Sequence, residues 1–289
     1  MSNENEADVS SCCCASCGIG IAEIDDIKLM PCDGCDLVQY CGDGCREDHK
    51  SEHEEACAKR AAELRDELLF KQPESTHLGD CPICCLPLPI DGSKSGLWSC
   101  CSKIICMGCW YANPMPSCPF CRKPLPDEEE SCKQNMKRVE ANDPAALCRH
   151  GANLCNKGDY IAAFEYFTKS AELGDAQAHY RLAEIYCYGH GVEKDIGKKI
   201  HHMEEAAISG HPGARYNLGV HEWNNNDNAE RAVKHWIIAA TLGDNDSITD
   251  LIDAFKEGFM AKEDLAAALR AHKAAVDATK SPEREAYRF

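Results

Sequence analysis

The sequence predicts a mainly α protein in which two small cysteine-rich modules, each of short β-hairpins plus a helix, precede an α-solenoid of helical pairs. Three observations predict it. Cysteines recur in closely spaced pairs between residues 14 and 121 and only singly afterwards. A stretch of small residues ending in glycine then recurs at intervals of 36 and 33 residues. Between them, Pro124-Leu125-Pro126-Asp127-Glu128-Glu129-Glu130 marks a boundary, with prolines that stop regular structure and an acidic run that reads as solvated linker.

The cysteine pairs come in two sets of eight. The first is Cys14-x2-Cys17, Cys32-x2-Cys35, Cys41-x3-Cys45 and His53-x3-Cys57. The second is Cys81-x2-Cys84, Cys100-Cys101, Cys106-x2-Cys109 and Cys118-x2-Cys121. Zinc takes four tetrahedral sulfur or nitrogen ligands, and a two-residue gap lets one tight turn aim both thiolates at one ion. Sixteen ligands in fours imply four Zn²⁺ ions. Each site is closed by protein ligands, which is the pattern of structural zinc.

Of 22 cysteines, seven fall outside these sets: Cys12, Cys13, Cys85, Cys132, Cys148, Cys155 and Cys187. They read as free thiols, some of them small core residues. Cys13 beside Cys14, and Cys85 beside Cys84, remain alternative ligands. The polar, acidic stretch Met1 to Ser11 reads as a disordered N-terminus without an apolar signal core. Metal therefore outranks a disulfide framework, and the expected location is intracellular, cytoplasmic or nuclear.

Charge excludes one class of partner. The net charge is −17. Residues 1–80 hold 19 acids against 7 bases, and only residues 81–126 are locally basic, with 1 acid against 4 bases. Eight thiolates with two Zn²⁺ offset that excess. Nucleic-acid binders present basic patches that displace counterions, so no nucleic-acid partner is expected. No apolar run approaches the roughly 18 residues of a membrane span, so no membrane partner is expected either.

The first module spans residues 12–71. From Arg46 to Lys71 there is no Gly or Pro, and the residues are mostly strong helix formers. His53 and Cys57 lie four apart, hence on one helix face, where both reach one ion. His49, also four from His53, is the rival ligand. The run Cys32-x2-Cys35-x5-Cys41-x3-Cys45-x7-His53-x3-Cys57, with Tyr40 directly before Cys41, resembles the MYND zinc finger. The resemblance implies interleaved sites, with Cys14, Cys17, Cys41 and Cys45 on one ion and Cys32, Cys35, His53 and Cys57 on the other. It also implies binding of short, often proline-containing, partner peptides.

The second module spans residues 78–126. Cys81-Pro82-Ile83-Cys84 through Cys118-Pro119-Phe120-Cys121-Arg122 resembles an all-cysteine RING finger. The resemblance implies a cross-brace, with Cys81, Cys84, Cys106 and Cys109 on one ion and Cys100, Cys101, Cys118 and Cys121 on the other. It further implies that Ile83, Pro119 and Arg122 contact a ubiquitin-conjugating enzyme. A RING ligase performs no covalent chemistry and works by positioning. Cys100 and Cys101 are adjacent, which demands a cramped turn. Only eight residues separate Cys109 from Cys118, so the central helix must be short.

An entry helix is expected within 127–142, the solenoid over 143–276 and a tail over 277–289. Ser170-Ala171-Glu172-Leu173-Gly174-Asp175 is echoed by Ala206-Ala207-Ile208-Ser209-Gly210-His211 and by Ala239-Ala240-Thr241-Leu242-Gly243-Asp244. Such a period indicates stacked helical pairs, none of which buries its apolar face alone. The loop Tyr188-Gly189-His190-Gly191-Val192-Glu193-Lys194-Asp195 resembles the Sel-one-like repeat, a relative of the tetratricopeptide repeat. That resemblance implies a concave surface that binds another protein. The solenoid histidines are scattered and read as helix-surface or loop residues.

Two functions follow. In the first, a RING-type ubiquitin ligase recruits its conjugating enzyme through the second module and its substrate through the solenoid. In the second, a non-enzymatic scaffold uses all its modules to bind proteins. Only the first requires Ile83, Pro119 and Arg122 together, and neither supplies a catalytic side chain.

Overall fold

The computed structural model describes residues 14–17, 29–112, 116–225 and 228–286. The expected disordered start, together with Cys12 and Cys13, lies outside them. The chain forms two compact units, Met1–Lys71 and Gln72–Phe289.

In the first unit, β1 (Met30–Pro31) pairs antiparallel with β2 (Gln39–Tyr40), and α1 follows over Asp43–Leu69. Cys14 bridges to Gln39 on the other side of β2. Two ion pairs tie the loop between the strands to the helix: Arg46 to Asp33 at 2.6 Å and Arg60 to Asp36 at 2.7 and 2.9 Å. The loop that carries Cys32 and Cys35 is thereby held over the helix face that carries His53 and Cys57.

The second unit begins with the hairpin of β3 (Ser95–Trp98) and β4 (Lys103–Cys106), followed by the short helix α2 (Met107–Ala112). Leu88, Trp98 and Ile105 are buried among the cysteines, and Trp110 stacks on Trp98 with ring centroids 4.9 Å apart. Helices α3 (Glu128–Glu140), α4 (Pro144–Asn156), α5 (Tyr160–Glu172), α6 (Ala176–Tyr188) and α7 (Ile196–Ile208) open the solenoid. Helices α8 (Pro212–Asn225), α9 (Ala229–Thr241), α10 (Asp246–Lys256) and α11 (Lys262–Ala278) complete it, and the short helix α12 (Pro282–Ala286) follows. Consecutive helices pack on each other from α3 through α11. The fold is therefore mainly α, with an α-solenoid after small cysteine-rich modules.

The repeated small-residue motif is a punctuation device. Gly174, Gly210 and Gly243 all take left-handed backbone just past a helix end, the conformation glycine adopts without steric cost. The residue after each glycine then caps the next helix. Asp175 accepts from the Ala178 N–H at 2.7 Å, and Asp244 accepts from the Ser247 N–H at 2.8 Å. At the middle repeat the cap is His211, whose Nδ1 accepts from the Ala214 N–H at 3.1 Å.

Within the second unit, the cysteine-rich module is packed onto the solenoid. The His77 N–H donates to the Gly210 carbonyl at 3.0 Å, and its ring stacks on His211. The Ser99 hydroxyl donates to Gln134 on α3 at 3.2 Å. At the far end, α12 packs against α2. One solenoid histidine departs from the surface-or-loop expectation: His235 is fully buried on α9. The preceding repeat has His202 at the position of His235, four residues before the paired alanines, and there it is only half-buried. His211 lies in the loop between α7 and α8 and is buried there.

Candidate metal centres

Four clusters gather the paired ligands. They are Cys14, Cys17, Cys41 and Cys45; Cys32, Cys35, His53 and Cys57; Cys81, Cys84, Cys106 and Cys109; and Cys100, Cys101, Cys118 and Cys121. Within each, all ligand atoms lie within 4.8 Å of one another. In both modules alternate pairs share a site, so each module is braced twice across its own chain.

The spacing fits zinc. Four sulfurs at a Zn–S distance of about 2.3 Å stand roughly 3.8 Å apart at the corners of a tetrahedron. Cys17 and Cys41, Cys32 and Cys57, and Cys101 and Cys118 are each 3.6 Å apart, and Cys84 and Cys106 are 3.9 Å apart. His53 brings Nε2 to 3.1 Å from the Cys35 sulfur. The donor sets are all-cysteine or three cysteines and one histidine, which are structural zinc sets. Four structural zinc ions fit these clusters, and their chemistry is to hold the chain rather than to act on a substrate.

Local geometry bears on two of the open ligand choices, and the third falls on Cys13, outside the described residues. His49 stands outside its cluster and meets the Tyr40 hydroxyl at 3.2 Å, with its ring stacked on His53. It orients the ligand instead of replacing it. Cys85 is exposed and turned away by a left-handed backbone, and its N–H donates to the Cys81 carbonyl at 2.8 Å. Arg122 repeats that geometry after Cys121, donating its N–H to the Cys118 carbonyl at 2.9 Å. The cramped turn at Cys100 and Cys101 closes through Ser102, which is left-handed and donates its N–H to the Trp98 carbonyl at 2.8 Å.

The thiols are prepared for metal. Burial raises the Cys81 pKa, but N–H donors from Cys106, Cys84 and Ile83 outweigh it and bring the thiol down to about 7. Cys14 reaches about 6 by the same balance, with N–H groups of Cys17, Cys41 and Ser16. Cys41, which shares a cluster with Cys14, moves the other way and rises to about 12 through the neighbouring Cys45, Cys17 and Cys14 sulfurs. One cluster cannot carry four thiolates without a cation, so metal binding releases protons and is pH-dependent.

The three residues matched to conjugating-enzyme contact lie on the two knuckles. Ile83 is half-buried against the module core, whereas Pro119 and Arg122 are exposed. Of the remaining cysteines, Cys132 is exposed, Cys148 is buried, and Cys155 and Cys187 are half-buried. His179 and His202 approach within 3.0 Å on α6 and α7, but no third ligand joins them among the described residues. Sequence reading missed Arg284, whose guanidinium donates to the Cys84 sulfur at 3.1 Å. No local pattern marks it, because 200 residues separate the partners.

Comparison with known proteins supplies the families. Residues 14–57 match the MYND finger, and residues 145–175, 176–211 and 212–244 match the Sel1 repeat. The chain carries a MYND finger and Sel1 repeats. The MYND finger is the module that holds the first two clusters, and the Sel1 matches begin within α4 and end just beyond α9. Mouse DAP3-binding cell death enhancer 1 is 27% identical over 177 residues, 48% of this chain and 35% of that protein. The chain thus spans about a third of the length of that relative. A Sel1 repeat protein from Oxalobacter formigenes matches at 23% identity over 60% of this chain and 72% of that one, with a TM-score of 0.45. A protective antigen of uropathogenic Escherichia coli with an SLR fold matches at 24% identity over 56% and 36%, with a TM-score of 0.41. No helix among the described residues is long and apolar enough to cross a membrane.

Proposed function

We propose that this protein is an adaptor that brings a ubiquitin-conjugating enzyme to a protein held by its Sel1 repeats. The cross-brace of residues 81–121 is the docking module, and the MYND finger offers a second protein contact. One observation carries the reading. The contacts between the module and the helices beyond it run through His77, Ser99, α2 and, from Arg284, the Cys84–Pro87 knuckle, while Pro119, Phe120 and Arg122 on the last knuckle stay exposed. An arginine there suits the role because its planar fork bridges two acceptors at once. Ligase action of this kind needs no catalytic side chain, only restraint of a thioester-linked ubiquitin. A relative named for binding a protein supports the interaction half of the reading.

A second reading keeps the adaptor and drops the ligase. It is favoured by α2, which has only six residues, and by the packing of the module onto the repeats. In that case the module serves as a zinc-stapled end piece of the solenoid. A ubiquitin-chain assay on zinc-replete full-length protein separates the two, with a panel of conjugating enzymes and the variants Ile83→Ala and Arg122→Ala. The ligase reading expects chains with the unaltered protein and at least a tenfold loss with either variant. No chains with any conjugating enzyme, from protein carrying four zinc ions, leaves the adaptor alone.

A further inference from the structure

The C-terminal helix α12 reaches the first cluster of the second module from two directions. Its backbone sits on Gly108, which lies between the ligands Cys106 and Cys109. A Cβ on Gly108 would stand 2.8 Å from the Arg284 Cα and 2.9 Å from the Arg284 nitrogen, so only glycine admits the helix there. The Arg284 side chain then extends to the opposite half of the cluster. Its Nη2 donates to the Cys84 sulfur and to the Leu86 carbonyl, each at 3.1 Å. Its Nη1 donates to the Pro87 carbonyl and to the Thr279 carbonyl, each at 2.7 Å. One guanidinium thus joins a ligand sulfur, the loop that follows that ligand and the end of α11.

The physical case is electrostatic and geometric. A zinc ion with four thiolates carries a net charge of about −2, and its sulfurs accept hydrogen bonds from groups outside the coordination sphere. A guanidinium offers five donors in a fixed plane, which matches four acceptors spread over two segments. An ammonium on a flexible stem reaches fewer of them. Outer groups of this kind hold ligands in place, and their loss weakens metal binding by about 10–100-fold.

We propose that Arg284 is an outer-sphere partner of the zinc site of Cys81, Cys84, Cys106 and Cys109, and that the metal and α12 hold each other in place. Docked α12 slows loss of this zinc, and loss of this zinc frees α12. The cluster of Cys100, Cys101, Cys118 and Cys121 has no such partner among the contacts described for α12, which makes it an internal control. The inference depends on zinc in the cluster and is independent of conjugating-enzyme binding.

The test is chelator-driven alkylation of the zinc-loaded full-length chain, with each cysteine followed by mass spectrometry. Arg284→Ala should speed alkylation of Cys84 and its three cluster partners by about tenfold. The control cluster should change by less than about twofold. Arg284→Lys, which keeps the charge but not the fork, should fall between. Gly108→Ala, whose Cβ would meet the Arg284 Cγ at 2.7 Å as well as its backbone, should reproduce the effect by displacing the helix while leaving the arginine in the sequence. Unchanged alkylation of Cys84 in both Arg284→Ala and Gly108→Ala overturns the proposal. So does equal acceleration in the two clusters, which would report general loosening of the module.

Discussion

The MYND finger and the second zinc module share one ligand plan, two interleaved clusters of four, yet they are built on different foundations. Apart from its ligands, the MYND unit buries only Leu29, Tyr40 and Leu69 among the described residues. Its helix α1 runs 27 residues and buries little besides His53 and Leu69. The second module has the apolar core of Leu88, Trp98 and Ile105 and is packed against the repeats as well. Equal ligand counts therefore conceal unequal dependence on metal. Where apolar burial is small, metal must supply the folding energy; where a core exists, metal adds to it.

The sharpest way to break that contrast is to remove one ligand from each module. Structural zinc contributes about 10–16 kcal/mol in finger peptides at neutral pH, far more than the MYND apolar residues replace. Cys41→Ser should lower zinc content from four ions to two, since the braces are interleaved, and abolish the helical signal of α1. Cys106→Ser should release zinc but keep the Trp98–Trp110 stack and the protected His77 amide, because core and solenoid contacts remain. Zinc analysis with circular dichroism and amide exchange reads both. Equal collapse of the two modules would erase the difference.

The converse experiment attacks the core. Trp98 is almost fully buried, and Trp98→Ala should cost about 3–5 kcal/mol in denaturant titration. Its zinc content should fall only as the module unfolds. A loss below about 1 kcal/mol would mean that metal carries the second module as it carries the first. A smaller effect confined to the repeats sharpens the scale. A Cβ on Gly219 would stand 2.5 Å from the Trp236 Nε1. Gly219→Ala should therefore destabilise the α8–α9 packing by about 1–3 kcal/mol and leave all four clusters loaded. Zinc loss from the second module in this variant would show that its metal sites depend on the repeats it packs against.

Much of this was legible in the sequence, for reasons that differ by region. Ligand pairs were readable because a metal imposes short, rigid spacings, so Cys81-x2-Cys84 carries its own geometry. The helical repeats were readable because glycine and a capping aspartate must recur wherever a helix ends and the next begins. His49 against His53 was not decidable from spacing alone, since both lie four residues from another candidate. The geometry favours His53, which stands within the cluster, while the Tyr40 hydroxyl engages His49 at 3.2 Å. Arg284 was illegible because its meaning comes from a sulfur 200 residues away. His211 is a loop residue as expected, but its capping role was illegible because it replaces an aspartate in a repeat, and only the donated Ala214 N–H shows that it performs the same task.

That replacement gives the repeats a pH dependence which an aspartate cap lacks. The His211 Nδ1 accepts from a backbone N–H, its Nε2 meets Gln177 at 3.2 Å, and the ring lies between His77 and Tyr180 at 4.4 Å from each. Protonation would remove the acceptor and place charge in a buried stack. Burial, with His77 and Arg181 nearby, pushes the His211 pKa down from 6.5 to about 3. The unfolded chain therefore binds a proton at a pH where the folded chain does not. Stability from this group is fully present above pH 6.5 and declines as pH falls toward 3, by about 2 kcal/mol at pH 5. Denaturant titrations at pH 8 and pH 5 should show that loss, with early exchange of the His77 amide, which bonds to Gly210 beside the cap. His211→Asp should keep the cap and reduce the loss, since a carboxylate stays charged across this range. A variant that loses stability on acidification as steeply as the unaltered protein would place the sensitivity elsewhere, in the buried His77, His202 and His235, whose pKa values burial also lowers, or in the thiolates of the zinc clusters.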